Sequence, residues 1–479
     1  MLLTFKIKTM SKVKAKKTKV KDIISMQVVN PYSAGIDVGD KEMVVAVPEG
    51  LSEPRVRTFG TMTCDLHEIA THLKACEIDS VGMESTGVYW KPLFRLLIHE
   101  GFEVNLVNAA HVRNVSGRKD DENDAMWIQK LHSCGLLKSS YLPDEQQEAL
   151  RTLVRHRKTL VQDGSRFVNR MQKSLELMNI KFHTVISDIV GETGKAVVEA
   201  IIGGERNAAN FLPLISKRIK ADSSTIEKSL QGNWLEEHLF TLKQNYEMYK
   251  IFWEKIAVCD QQIEKQLQQY EAKCNEGVIE EPKTVKEEPA VAPAGKKGKV
   301  VKKHGDKNRP RFDVHGYLER IYHVDVMAIH GINSTSALDI FAEIGTDLSK
   351  WKNEKHFVSW LNLCPNNKIS GGKLISSKLF HKKPNPASLA FRAAANGVQK
   401  SDNWLGDYFR RKKAKGGNKY AIIATANKIA AIFYKMVRYK EEFKPVELEQ
   451  YQQKYKQVKI AYLERKLTQL KQETEKAAA

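Results

Sequence analysis

The 479-residue sequence lacks the marks of secreted, membrane and zinc-binding proteins. It has no apolar run of about 18 residues and no apolar segment behind its N-terminal charges, which argues against a membrane span and a signal peptide. Its six cysteines form no CxxC pair, and its 14 histidines form no HExxH motif. We therefore expect no disulfide framework and no zinc site, a reducing cytosolic environment, and oxygen ligands for any bound metal.

Acidic residues are too few to balance the basic ones, at 57 against 77, which leaves a net charge of +20. The excess is concentrated in two segments. Eight lysines and no acid lie between Lys6 and Lys21, and eight basic residues oppose Asp306 alone between Lys296 and Arg311. Such segments bind phosphate backbones, so nucleic acid is the favoured partner and a solubilising tail is the alternative.

From Ser33 the sequence alternates between strand and helix patterns. The strand-like runs SAGIDVG, EMVVAVP and RVRTFGT precede a helical pattern, DLHEIATHLKACE. A strand VGMEST, a helix GVYWKPLFRLLIHEG and a strand FEVNLVN follow. Three strands followed by alternating helices and strands are the order of an α/β domain of the RNase H-like (RuvC-like) fold, which we assign to residues 31–143.

The rest of the sequence is mainly helical on both sides of a biased segment. We predict a basic disordered extension over 1–30, a helical coiled-coil region over 144–274 and a flexible Lys/Pro-rich linker over 275–312. A mainly α domain over 313–440 follows. A charged amphipathic helix then occupies 441–479, and the residues predicted on its apolar face are Leu448, Tyr451, Tyr455, Val458 and Tyr462.

A long helix predicted over 145–180 carries basic side chains around an apolar stripe. Arg155, Arg166 and Arg170 are among these basic side chains and are candidates for nucleic-acid binding. A second helical stretch, from Thr225 to about Cys274, folds back on the first. A helical hairpin with a solvated exterior and a dimerising coiled coil both agree with this pattern.

The segment GRKDDENDAMWI crowds four acids into five positions of a basic protein. On a helix, Asp121 and Asp124 share one face with the apolar Ile128, whereas Asp120 and Glu122 point elsewhere, towards solvent. Carboxylates that face the protein interior are costly unless they are paired or hold a cation. The pattern therefore indicates a cation site at Asp121 and Asp124.

Two further acids lie where strands deliver them to the same place. Asp37 lies inside the strand GIDVG, and Glu84 ends the apolar part of VGMEST. Such acids commonly meet in the crevice of an α/β sheet. With Asp121 and Asp124 they are predicted to hold two Mg²⁺ ions, which would clamp the attacking and leaving oxygens of a phosphodiester exchange. Taken singly, Asp37 agrees equally with a turn acid and Glu84 with a helix cap partner.

Two glycine-containing motifs lie in the C-terminal half. In MAIHGINSTSALDIFAEIG, Gly331 separates two helical patterns, as in a helix-hairpin-helix whose backbone amides face a phosphate. In NNKISGGKLISSK, Gly371 and Gly372 let a backbone approach closely and leave the Ser370 hydroxyl exposed as a nucleophile, beside Lys373. An ordinary helical turn and a plain glycine turn are the alternatives.

The motifs GIDVGDKEMVVAV, MESTGVYWKPL, GRKDDENDA, MAIHGINSTSALDIFAEIG and WLNLCPNNKISGGK, in this order, resemble the DEDD-type insertion-sequence transposases. These are bridge-RNA-guided recombinases with a RuvC-like N-terminal domain and a C-terminal transposase domain, here 313–440 with its serine loop. The resemblance covers most of 33–180 and 312–438. It implies that Asp37, Glu84, Asp121 and Asp124 bind Mg²⁺, with Mn²⁺ as a substitute, and that Ser370 attacks DNA and becomes covalently linked to it.

The resemblance also implies partners and a location. The expected partners are donor and target double-stranded DNA, a structured guide RNA, and further copies of the chain, as a dimer and as a tetramer in the synaptic complex. No membrane is expected, and the location is the cytoplasm of a prokaryote, in association with the nucleoid. The sequence departs from the family at Asp120, Glu122 and His330, and in a long insertion of roughly 185–250.

Three other functions agree with parts of the sequence. A RuvC-like junction nuclease would use the same acids with a metal-activated water and no protein–DNA bond. An actin-like or sugar-kinase ATPase also opens with GIDVG, but a second phosphate loop is missing. A catalytically silent RNA-binding scaffold would need only the basic surfaces.

Overall fold

The computed structural model describes residues 27–107, 121–137, 143–275, 308–379 and 385–478, and of these only the backbone for 121–123, 275 and 475–478. Most of the predicted basic extension and linker, and Asp120, lie outside these ranges. The chain divides into two compact units, Met1–Leu142 and Pro143–Ala479, which are described separately. All six cysteines lie within the described ranges and are free. No described helix is long and apolar enough to span a membrane.

The first unit is built around a five-stranded sheet in the order β3-β2-β1-β4-β5. Strands β1, β2 and β3 are antiparallel, whereas β4 runs parallel to β1 and β5 runs parallel to β4. The elements, in chain order, are β1 (Ser33–Val38), β2 (Met43–Ala46), β3 (Val56–Phe59), α1 (Thr63–Ala75), β4 (Ser80–Glu84), α2 (Trp90–His99), β5 (Glu103–Val107) and α3 (Asp121–Ser133).

Both faces of this sheet are covered. One face presents Ile36 and Met83, among others, to apolar side chains of α1 and α2, which form the main core of the unit. The other face is covered by α3, whose Ala125 packs with Val44 and whose Ile128 packs with Val107. Strands buried on both faces explain the near-continuous apolar runs that the sequence shows there.

The second unit begins with a helical pair and an insertion. Helix α4 (Glu145–Leu177) is capped by the Asp144 side chain, which accepts a hydrogen bond from Gln147 N at 2.8 Å, and packs along α7 (Glu236–Asn275). Between them lie α5 (Glu192–Ile202), α6 (Ser223–Leu230) and two 3₁₀ helices. Their apolar side chains form a core with the facing ends of α4 and α7.

The second long helix is broken, contrary to the prediction of one stretch from Thr225 to about Cys274. Helix α6 ends at Leu230 and α7 begins at Glu236. Between them the chain crosses the end of α4, where Asn233 N donates to Met178 O at 2.9 Å. A Cβ on Gly232 would lie 2.7 Å from the same oxygen. The close crossing, which helical spacing does not reveal, requires the break.

The remainder of the second unit is mainly helical, so the predicted combination of an α/β N-terminal part and a mainly α C-terminal part is confirmed at this level. A two-stranded hairpin interrupts the helices. The elements are α8 (Val314–Tyr322), α9 (Ser334–Ile344), α10 (Glu354–Trp360), β6 (Asn366–Ser370), β7 (Lys373–Lys378), α11 (Pro386–Gly397), α12 (Trp404–Tyr439) and α13 (Leu448–Ala478). Their core is aromatic, with Phe341, Phe357, Phe391 and Phe433 fully buried.

Ion pairs join α4 to its neighbours within the second unit. Arg155 Nε donates to Glu343 of α9 at 2.7 Å, and Lys158 pairs with Asp339 one turn earlier on α9. Arg157 and Asp260 of α7 form a pair that is buried on both sides. The Arg157 guanidinium also donates to Asn308 O at 3.0 Å, where the described chain resumes after residue 275.

The C-terminal helix α13 is anchored mainly at its beginning. Tyr451 packs edge-on against Trp404, and the Arg411 guanidinium lies 3.8 Å from the ring centroid of Tyr455. The helix itself agrees with the sequence pattern. Its predicted apolar face is largely uncovered beyond that point, however, and Val458 and Tyr462 are exposed.

Candidate functional site

A pair of glycines sets the position of α3 over the sheet. Gly35 of β1 and Gly82 of β4 are register partners. A Cβ on Gly35 would lie 2.3 Å from Ala125 O and Gln129 N, so the backbone of α3 rests directly on β1. The sequence offered a signal for these two residues, since each stands two positions before a strand acid. Our sequence reasoning did not use it.

The same register brings two predicted acids together. Ile36 is paired with Met83, and one residue further the parallel register places Asp37 beside Glu84 on the face that carries the glycines. Adjacent strands lie about 4.8 Å apart, so two carboxylates share the carboxyl ends of β1 and β4. Glu84 is only 9% exposed, and Asp37 is half-buried. Thr86 Oγ1 donates to Glu84 Oε1 at 3.0 Å.

Helix α3 runs so that its N-terminal end lies towards these acids. Gln129 Nε2 donates to Ser33 O at 3.2 Å, which fixes the C-terminal half of α3 over the start of β1. The first turn therefore lies towards the end of β1, where Asp37 is found. Asp124 is half-buried in this turn, and Ile128 is fully buried, as the stripe pattern predicts. The side chain of Asp121 lies outside the described part of the structure.

A buried histidine supports the other end of α3. His132 Nε2 lies 3.0 Å from Ser80 Oγ, and Asn30 Nδ2 donates to the His132 carbonyl at 2.9 Å. Burial lowers the pKa of His132, which favours the neutral ring. We infer that this end of α3 is a rigid support for the acids. Sequence reasoning missed it, because a lone histidine carries no distinctive spacing.

The donor chemistry of the acids fits a hard cation. Asp37, Glu84 and Asp124 offer carboxylate oxygens, which Mg²⁺ takes as ligands. Among the described side chains, no three acidic, histidine or cysteine groups lie close enough together to hold a metal ion. The acids therefore agree with a Mg²⁺ site in two respects, the type of ligand atom and the placement of the carboxylates at one end of the sheet.

The predicted serine loop is a β-hairpin. Strands β6 and β7 pair in an antiparallel manner, and Ser370 stands opposite Lys373 across the two-residue turn. Gly371 and Gly372 have φ angles of +54° and +74°, as a type I′ hairpin turn requires at both central positions. The sequence predicts a loop or a plain glycine turn here, because two glycines dominate the local pattern, and it does not predict the paired strands.

The hairpin register sorts its side chains onto two faces. The pairs Ser370–Lys373 and Lys368–Ser376 lie on one face, with Lys378 further along it. Ser370 and these lysines are exposed. The serine hydroxyl thus stands in a field of positive charge, as a group that meets a phosphodiester should.

Two family models match the chain. One, a transposase model of the DEDD IS110 type, matches residues 34–180, and the other, described as the transposase IS116/IS110/IS902 family, matches residues 325–410. The chain belongs to the IS110 family of DEDD transposases. No curated protein matches it. Both matched regions contain the candidate residues described above, and members of such a transposase family act on DNA.

In this transposase, Gly331 has a packing role that the helix-hairpin-helix interpretation did not include. Its φ is +97°, and a Cβ there would lie 2.5 Å from Ala394 O of α11. A single 3₁₀ turn, Val326–Ala328, stands where the sequence suggested a helix before the glycine. Asn333 then caps α9 by accepting a hydrogen bond from Ser336 N at 2.9 Å.

The three candidate arginines of α4 differ in their surroundings within the transposase. Arg155 gives two hydrogen bonds to Glu343, so its charge is used inside the second unit. The Arg170 guanidinium lies 4.9 Å from the ring centroid of Phe167. Arg166 pairs with Asp163 but is 71% exposed. Arg166 and Arg170 thus remain the better placed of the three to meet a nucleic acid.

Proposed function

We propose that this transposase mobilises an insertion sequence by cutting and rejoining DNA through a Mg²⁺-dependent, serine-mediated phosphodiester exchange guided by a structured RNA. The observation that supports it best is the adjacency of Asp37 and Glu84 at the carboxyl ends of two parallel strands, below the first turn of α3. A structural role alone would not require two neighbouring carboxylates on a covered face.

The acids of the first unit have the role of metal ligands in this proposal. Asp37, Glu84, Asp121 and Asp124 would hold Mg²⁺, with Mn²⁺ as a substitute. When bound, the ions neutralise charge on the oxygens of the exchanging phosphate. The order of three antiparallel strands followed by two parallel ones supports an RNase H-like assignment for the unit.

Ser370 is the proposed nucleophile. Its Oγ bonds to phosphorus while the P–O bond of the cleaved strand breaks, the hydroxyl proton leaves, and the departing oxygen takes up a proton. Lys368 and Lys373, on the same face of the hairpin, would neutralise the phosphate during this exchange. The exposure of Ser370 and of the two turn glycines lets a duplex reach the hydroxyl.

The proposed partners follow from charge and from the family. Donor and target DNA duplexes would contact the hairpin, including Gly371 and Gly372, and the turn at Gly331. A structured guide RNA would contact Arg166 and Arg170. Copies of the chain would assemble as dimers and, in the synaptic complex, as a tetramer. A net charge of +20 supports contact with several phosphate backbones, and the nucleoid of a prokaryotic cell is the proposed location.

A covalent-adduct assay tests this function. Purified protein, the RNA that flanks its element, and labelled donor and target DNA are incubated with Mg²⁺ or EDTA and separated on a denaturing gel. We expect a Mg²⁺-dependent protein–DNA band that is lost in Ser370→Ala and in Glu84→Gln. Ser376→Ala is the matched control, because Ser376 lies on the same face further from the turn.

The outcomes separate the alternatives. An adduct that persists in Ser370→Ala would exclude Ser370 as the nucleophile. Cleaved DNA without any adduct would instead support a nuclease that uses metal-activated water. Loss of the adduct in Ser376→Ala as well would show that the hairpin surface, and not the Ser370 hydroxyl, is being measured.

A further inference from the structure

The hairpin carries an apolar pair that no described residue of the second unit covers. Ile369 and Leu374 are cross-strand partners on the face opposite to Ser370. They are 65% and 58% exposed, next to the equally exposed Ile375. A two-stranded hairpin alone is only marginally stable in water. Large apolar side chains that stay exposed on it indicate a surface that binds a partner.

The composition of the hairpin indicates the kind of partner. Between Asn366 and Lys378 there are three lysines, three serines and two asparagines, with no acid and no aromatic residue. The cores of protein interfaces are enriched in aromatic residues and depleted of lysine and serine. Lysine, serine and asparagine are instead side chains that contact phosphates and sugars. The surface therefore fits duplex DNA better than a protein.

The two faces of the ribbon match the two surfaces of a DNA groove. A ribbon that lies in a groove meets the sugar–phosphate wall on one side and the base pairs on the other. The face with Ser370 and the lysines suits the wall, and the face with Ile369 and Leu374 suits the bases. Apolar side chains that reach bases from a groove commonly enter between them and unstack a step. The turn of two glycines keeps the leading end of the ribbon slender.

We propose that Ile369 and Leu374 form a wedge that unstacks the base step next to the phosphate attacked by Ser370. The proposal rests on the proposed function in one respect, the role of Ser370 as the nucleophile. The wedge itself is a positioning device. It bends the duplex around the ribbon and turns the phosphate towards the hydroxyl on the opposite face.

Fluorescence of 2-aminopurine, which rises when the base is unstacked, tests the wedge. The analogue is placed in turn at each position across the end of the element in a duplex, and the full chain is added with the flanking RNA. We expect a several-fold rise at one step with the wild type and with Ser370→Ala. The double variant Ile369→Ala/Leu374→Ala should lose this rise and form adduct roughly 10- to 100-fold more slowly, because the phosphate is no longer turned towards the Ser370 hydroxyl.

Two matched variants control for folding and for general loss of affinity. Asn367→Ala/Ser377→Ala alters the same face further from the turn and should keep the fluorescence rise. Ile369→Leu/Leu374→Ile keeps the apolar volume and should restore both signals.

An unchanged fluorescence rise in the double alanine variant would overturn the wedge. A fall in oligomer mass in that variant, without a fluorescence change, would overturn it in favour of a protein interface. Failure of the proposed function is detected by a different readout. Adduct formation by Ser370→Ala would contradict the role of Ser370 as the nucleophile, and the fluorescence comparison would still test the wedge.

Discussion

The contact between Gly35 and α3 offers the sharpest test of the acid site. In Gly35→Ala the new Cβ would lie 2.3 Å from two backbone atoms of α3, so the helix must move by more than 1 Å to reach ordinary contact. Overpacking against an element that cannot yield costs about 1–3 kcal/mol. A displacement of catalytic groups by about 1 Å lowers a rate roughly 10²-fold. We therefore expect Gly35→Ala to lower both the free energy of unfolding and the rate of adduct formation by these amounts.

Gly82→Ala provides the matched comparison on the neighbouring strand. There the new Cβ meets side-chain atoms of Leu137, Ile128 and His132 at 3.0 to 3.2 Å, which need shift by only a few tenths of an ångström. We expect a loss below about 1 kcal/mol and a rate within about tenfold of wild type. Urea denaturation and the rate of adduct formation measure the two effects. Wild-type values of both in Gly35→Ala would refute the direct seating of α3 on β1.

Three further predictions concern stability and the hairpin. Glu343→Ala removes a carboxylate that is 4% exposed from its pair with Arg155, so the free energy of unfolding measured in urea should fall by about 2–3 kcal/mol, against less than about 0.5 kcal/mol for Asp163→Ala, whose partner Arg166 is 71% exposed. Burial lowers the pKa of His72 and His132, so the unfolded chain binds protons that the folded unit excludes. Stability of the first unit should fall as the pH drops below about 6.5, and asparagine at both positions should flatten this dependence in urea titrations. Gly372→Val places a β-branched residue at a φ of +74°, so adduct formation should drop about tenfold with an unchanged circular dichroism spectrum, and full activity would contradict the turn geometry.

Sequence patterns predicted the features that depend on neighbouring residues, such as the strands of the first unit. The strand runs of the first unit are apolar because the sheet is covered on both faces, and these runs predict Asp37 inside one strand and Glu84 at the end of another. Their position side by side could be seen only in the structure. The alternation of residues along a strand predicts which face of the sheet a side chain lies on, but not which residue of the neighbouring strand is paired with it. The break at Gly232 depends on a crossing with a distant residue. The hairpin at Ser370 was predictable, because two consecutive glycines between short segments that contain apolar residues are also a turn signal.

The two partners of each ion pair between α4 and α9 are synthesised at different times. Arg155 and Glu343 are separated by 188 residues. At 5–20 residues per second, the acid leaves the ribosome roughly 10–40 s after the arginine. During that interval the carboxylate partners on α9 do not yet exist, so Arg155 and Lys158 have only water and mobile counterions around their charges. The synthesis of α9 is therefore the event that neutralises this surface of the nascent chain.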